Sequence, residues 1–108
     1  MKSICFVLRV KHNKINDYIN IHKKENVWPE IYENLEKAKI NKLKIYLLKN
    51  NAICFLESND VYKSLDLLGK QESQKKWNEV TSEYMYTQPN YGSNKIVDEL
   101  NCIFDYES

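Results

Sequence analysis

The sequence predicts an α+β domain of order βαββαβ, with a four-stranded antiparallel sheet and helices on one face. Three observations predict it. Four short runs, near residues 3–10, 42–48, 52–58 and 99–106, are strand-like in their apolar patterning. The middle two are joined by only a short KNNA turn, as in a hairpin. Helical spacing fills the intervals between the first and second runs and between the third and fourth.

The elements follow in order. In SICFVLRV, residues 3–10, Ile4, Phe6, Leu8 and Val10 share one face, with Cys5, Val7 and Arg9 on the other. The period then lengthens: Ile15, Tyr18, Ile19 and His22 follow helical spacing, with Asn13 as the expected N-cap. Pro29 does not suit a helix interior but suits a first turn, where its missing N–H is no loss. Trp28, Ile31, Tyr32 and Leu35 continue the stripe to about Ala38, so one long helix broken near residues 25–28 is expected. KLKIYLL (42–48) and AICFLES (52–58) form the hairpin, with an Asn of KNNA expected to take positive φ. Helices are expected over 60–68 and 71–85, then an irregular stretch, QPNYGSN (88–94). ELNCIFDY (99–106) is the expected fourth strand.

This order is the split βαβ, or ferredoxin-like, arrangement. Its sheet carries apolar residues on both faces, and helices cover only one. The second face predicts a two-fold homodimer, a dimeric α/β barrel.

The 108 residues favour one domain, 1–108, without repeats or linkers. With 43% hydrophobic and 29% charged residues the chain is an ordinary globular one rather than a disordered one. A formal net charge of +1 gives no electrostatic reason to expect nucleic acid or a membrane surface as partner. No apolar run approaches the roughly 20 residues of a membrane helix. The N-terminal MKSICFVLRVKH reads as a strand rather than a signal peptide. Cys5, Cys54 and Cys102 are odd in number, widely spaced and set in apolar runs, which predicts buried packing residues rather than disulfides or a metal site. A reducing cytoplasm fits them.

Several local patterns go beyond the fold. FVLRV opens the chain. Tyr18 and His22 lie four apart, and Trp28-Pro29-Glu30 follows. Ile45-Tyr46-Leu47 stands in the second strand, Gln74-Lys75-Lys76-Trp77 in the last helix, and ELNCIFDY closes the chain. On these residues, over nearly its whole length, the chain resembles the L-rhamnose mutarotase family of small sugar 1-epimerases. The resemblance implies a cofactor-free dimer of ferredoxin-like subunits that interconverts the α and β anomers of a deoxyhexose, with a monosaccharide as its partner and no metal.

The residues suit that chemistry. Mutarotation opens a pyranose ring and recloses it on the other face of the anomeric carbon. The anomeric hydroxyl loses a proton, the ring oxygen gains one, and both transfers then reverse. A group that gives and takes a proton near pH 7 is required, and imidazole, with an unperturbed pKa of about 6.5, meets the need. His22 is the candidate catalytic residue. Tyr18, one helical turn earlier, shares its face and is placed to hold a sugar hydroxyl or orient the imidazole. Trp77 and Trp28 offer apolar rings for sugar C–H patches, although Trp28 is equally explained by packing with Ile31 and Leu35. Tyr46 is a further candidate for a hydroxyl contact. His12, at a strand end, is expected to be structural, and Glu30 to favour a helix N-terminus.

Three departures from the family pattern matter. Five residues, Lys23 to Val27, separate His22 from Trp28 where the family has three. At about 100° per residue, two more would swing His22 by about 200° unless a loop absorbs them. Lys42 and Leu43 stand where the family carries Asn-Tyr, and Leu cannot donate a hydrogen bond. Trp77 stands beside Lys76 and Asn78 where the family has paired tryptophans. These changes keep alternatives open: an L-fucose-type mutarotase, a small-molecule-binding dimer without catalysis, or an unrelated dimeric enzyme such as a cofactorless monooxygenase.

Overall fold

The protein is described as a computed structural model covering residues 2–86 and 98–107. β1 (Lys2–Arg9) leads through one turn of 3-10 helix (His12–Lys14) into α1 (Ile15–Ile21) and α2 (Pro29–Lys37). The hairpin of β2 (Ile40–Leu48) and β3 (Asn51–Ser58) follows. α3 (Val61–Gly69), α4 (Glu72–Ser82) and β4 (Glu99–Leu100) complete the order. The sheet runs β2-β3-β1-β4 and every pairing is antiparallel. This is the expected ferredoxin-like βαββαβ fold, with each helical connection divided into two helices.

Strand alternation builds the core. Phe6 pairs with Cys54 and Leu8 with Ala52, and these inward residues are almost fully buried with Leu56 and Val10. The helices bring Tyr18, Val61 and Leu65 onto the same cluster. α3 is capped by Asp60, whose carboxylate accepts from the backbone N–H of Lys63. A buried Ser64–Ser58 hydroxyl bond of 3.0 Å ties α3 to β3, and the Asn34 amide donates to Ser73 at 2.9 Å, tying α2 to α4.

The structure changes several expectations. The long helix is two helices, because the chain turns after His22 and restarts at Pro29. Trp28 has ψ 138°, the extended conformation that a following proline imposes. Asn26 closes the turn by donating to the Asn20 carbonyl at 2.7 Å. The two extra residues between His22 and Trp28 are thereby taken up by a loop. Asn13 lies inside the 3-10 turn and caps no helix. In the hairpin, Lys49 takes the positive φ (57°), while the Asn50 amide bonds the Val10 carbonyl. Only Cys54 of the three cysteines is buried; Cys102 is exposed.

The fourth strand is two residues long where eight were expected. Its register sets Cys5 against Leu100 and Phe6 against Glu99. Continued, that register would place Ile103 opposite Lys2, so residues 104–106 would run past the end of β1. Residues 101–107 instead leave the sheet, with Ile103 at 95% and Phe104 at 84% exposure. The expected irregular stretch 88–94 lies outside the described residues. No helix among the described residues is long and apolar enough to cross a membrane.

Candidate functional site

α1 is short, and the end it leaves open is put to use. The His22 backbone N–H bonds the Ile19 carbonyl rather than that of Tyr18. The Tyr18 carbonyl, freed at the helix end, accepts from His22 Nδ1–H at 2.7 Å. A carbonyl only accepts, so Nδ1 must carry the proton. In neutral His22 the lone pair then sits on Nε2. One hydrogen bond fixes both the ring's orientation and its tautomer.

His22 is flanked by aromatic rings. Tyr18 lies 4.5 Å away between centroids, tilted by 48°, and Trp77 lies 6.0 Å away, edge to face at 87°. Tyr18 is buried at 4% exposure and Trp77 at 6%. Trp28 packs edge to face on Trp77 at 5.1 Å and buttresses it from behind. The spacing of Tyr18 and His22 on α1 and the 3.6-residue period of α4 account for this convergence.

These side chains border a cavity of about 330 Å³ between the helices and the inner face of the sheet. Phe6, Leu8 and Cys54 form its floor, and Leu43 and Ile45 of β2 extend that floor to the sheet edge. Tyr18, His22, Tyr32, Trp77, Gln74, Asn78 and Thr81 supply its polar and aromatic wall. No Asp, Glu, Lys or Arg among the described residues lines it. The volume falls in the range of small-molecule sites, and the lining suits a neutral ligand with both hydroxyls and C–H surfaces.

The surroundings tune the ionisable groups. Burial lowers the His22 pKa below the ordinary imidazole value, opposed in part by the bond to the Tyr18 carbonyl. The ring is therefore neutral near pH 7, as a base must be. Burial, with Cys54 as a lesser neighbour, raises the Tyr18 phenol well above its usual range, so Tyr18 remains an O–H donor. Burial, reinforced by Cys5, pushes the Cys54 thiol up to about 12, which makes it packing rather than nucleophile.

The site residues expected from sequence are distributed unevenly. His22, Tyr18 and Trp77 meet at the cavity, and Trp28 stands behind Trp77. Tyr46 does not join them. It pairs with Ile53, which pairs with Val7, so it belongs to the outer face of the sheet and is 57% exposed. Leu43 lines the cavity, whereas Lys76 is exposed. His12 is exposed and meets Tyr86 at 3.3 Å, away from the cavity. Sequence reasoning singled out no role for Gln74 or Thr81. Their signal was the spacing 74, 77, 78, 81, which puts three polar side chains on the same face of α4 as Trp77.

Fold and site together define a ferredoxin-like α+β protein with a histidine-bearing cavity of small-molecule size, lined among the described residues by no Asp, Glu, Lys or Arg. The L-rhamnose mutarotase family model matches residues 3–106, and the chain belongs to that family. Among solved structures it is similar to the L-rhamnose mutarotase of Formosa agariphila, with a TM-score of 0.75 and 19% identity, covering 99% of this chain and 100% of that one. It is also similar in fold to tetracenomycin F2 cyclase of Streptomyces glaucescens, a type-II polyketide cyclase, with a TM-score of 0.60 and 11% identity over 100% and 99% of the two chains. No curated protein matches it.

Proposed function

We propose that the protein interconverts the α and β anomers of L-rhamnose, with His22 as general acid/base. Family membership over residues 3–106 supports the sugar class. The observation that carries the mechanism is His22 itself, held by Nδ1 with its Nε2 lone pair available in an uncharged cavity. Nε2 takes the proton of the anomeric hydroxyl as the C1=O1 bond forms and the C1–O5 bond breaks. The imidazolium returns that proton to the ring oxygen. The aldehyde turns about C1–C2 and the steps reverse, closing the other anomer. Tyr18 donates to a sugar hydroxyl, Trp77 packs on sugar C–H groups, and Trp28 holds Trp77. The apolar floor at Leu43 and Ile45 suits a deoxyhexose methyl group.

The position of Leu43 favours a second reading. An apolar side chain stands in the cavity wall where the family pattern has a phenol. This suits a related sugar such as L-fucose, or binding without catalysis. Saturation-transfer NMR on the anomeric protons separates these readings. Faster exchange of L-rhamnose than in buffer, abolished in His22→Ala, is expected. Faster exchange of L-fucose alone would move the substrate, and binding without faster exchange would leave a binding protein.

We also propose a cytoplasmic homodimer. The helices lie on the inner face of the sheet, while Tyr46 and Leu48 on the outer face stay 57% and 61% exposed. Residues 101–107, outside the sheet, add Phe104 and Tyr106 to the apolar surface available to a second copy. Light scattering reads the mass, and a monomer at micromolar concentration would overturn the dimer.

A further inference from the structure

Gln74 is buried, at 5% exposure, in the first turn and a half of α4. Its Nε2 donates to Asn78 Oδ1 at 3.1 Å, which orients the amide along the helix. Its Oε1 is buried and has no hydrogen-bond partner, the one such side-chain atom among the described residues. An unpaired buried acceptor destabilises a fold, because its hydration is lost and nothing replaces it. Nothing in the packing of α2 on α4 calls for an amide here, since Asn34 of α2 bonds Ser73 instead. Gln74 does line the cavity, on the same face of α4 as Trp77, Asn78 and Thr81.

We propose that Gln74 Oε1 is a receptor for one hydroxyl of the bound sugar and so selects for that hydroxyl. This rests on the sugar reading of the cavity and deepens it. An amide oxygen only accepts, so its ligand must donate. A sugar hydroxyl does, whereas a deoxy carbon or a methyl group does not. The floor of Phe6, Leu8, Cys54, Leu43 and Ile45 offers no side-chain oxygen or nitrogen, so hydroxyl recognition falls to the helical wall. Within that wall Gln74 has an acceptor to spare. In the free chain Oε1 is covered, so the hydroxyl meets it only after the amide shifts, and the unpaired acceptor then gains the partner it lacks.

The test compares L-rhamnose with its 2-, 3- and 4-deoxy derivatives on the wild-type chain and on Gln74→Met, with affinities from ligand-observed NMR. One deoxy derivative is expected to bind the wild type about three- to tenfold more weakly than L-rhamnose, the range of one hydrogen bond. Gln74→Met should weaken L-rhamnose by a similar factor and bind that derivative as well as it binds L-rhamnose. If Gln74→Met discriminates among the derivatives as the wild type does, Gln74 reads no hydroxyl and this inference fails, while the sugar reading stands. Should the wild type bind none of these sugars, the sugar reading fails first and takes the hydroxyl assignment with it. The wild-type series guards against a misfolded Gln74→Met, since equal binding of L-rhamnose and all three deoxy derivatives by the wild type would by itself overturn the assignment.

Discussion

The helical and sheet walls of the cavity are built on opposite terms. The helical wall carries the polar and aromatic groups, set among Ile31, Leu35 and Leu68, and several of them are oriented. His22 is pinned by the Tyr18 carbonyl, Trp77 is braced by Trp28, and Gln74 is held by Asn78. The sheet wall is apolar and, at its edge, open: Leu43 and Ile45 are each 37% exposed. The difference follows from geometry. A helix presents residues three, four and seven apart to one spot, so several functional groups can converge there. A strand presents every second residue along a line and spreads its side chains. Leu43, on the sheet wall, is one of three places where this chain departs from the pattern its resemblance implies; the other two, the longer loop after His22 and Lys76 beside Trp77, lie on the helical side.

The largest effect should come from the helical wall. His22→Ala is expected to lower the catalysed anomer exchange by about 10²–10⁴-fold, the usual contribution of positioned proton transfer. The substitution takes the His22 partner from the Tyr18 carbonyl at the end of α1, and circular dichroism checks that the fold survives. Exchange unchanged in a folded His22→Ala would remove the chemistry from this wall.

The pH profile comes next. Burial disfavours the imidazolium, so His22 stays a base to lower pH than a free imidazole. Catalysed exchange should fall on acidification with its midpoint below the ordinary imidazole pKa of about 6.5. The same shift governs stability. The unfolded chain binds the His22 proton at higher pH than the folded one does. The contribution is therefore fully present above the unfolded pKa and is lost as pH falls from there to the folded value. An acid limb centred above the ordinary imidazole value would mean that a paired rather than a desolvated histidine does the work.

The sheet wall should respond less, and in the opposite direction. Leu43→Tyr adds a phenol at the cavity edge, where the existing exposure leaves room for it. One new hydrogen bond to sugar is worth about 0.5–1.5 kcal/mol, or roughly two- to twelvefold in kcat/KM. A gain for L-rhamnose would make this wall a weakened version of the family's site. A loss for L-rhamnose with a gain for L-fucose would instead make Leu43 an adaptation to a different sugar.

The two walls were also unequally legible in the sequence. Alternation in β1 and β3 marked the inward residues, because a buried face selects strongly for apolar side chains. The i, i+4 spacing marked Tyr18 with His22, and the Pro29 break marked where the extra residues would be absorbed. The role of Gln74 was opaque: it stood in QKKW as part of the family pattern, but nothing in the sequence showed that its side chain is buried at the cavity. The short β4 was opaque for another reason. Alternation in 99–106 describes the segment, but a strand exists only where it pairs, and residues 101–107 part from β1 although three of them have β1 residues opposite.

Tyr46 gives the finest comparison, because it separates what strand two offers on its two faces. Sequence pattern placed it with the sugar, and it is one residue from Ile45, which does line the cavity. The pleat sends the two side chains to opposite faces. Tyr46→Phe removes only a hydroxyl from an exposed phenol. Its effect on sugar exchange should stay within about twofold, matching the ±0.5 kcal/mol usual for surface substitutions. The fold of the single chain gives no route from that hydroxyl to the cavity. A larger loss of exchange would therefore require the outer face to meet sugar across a second copy, and repeating the measurement across a dilution series would locate it. An effect that grows with protein concentration would assign Tyr46 to a shared site. A uniformly small effect would leave recognition to the helical wall of each chain.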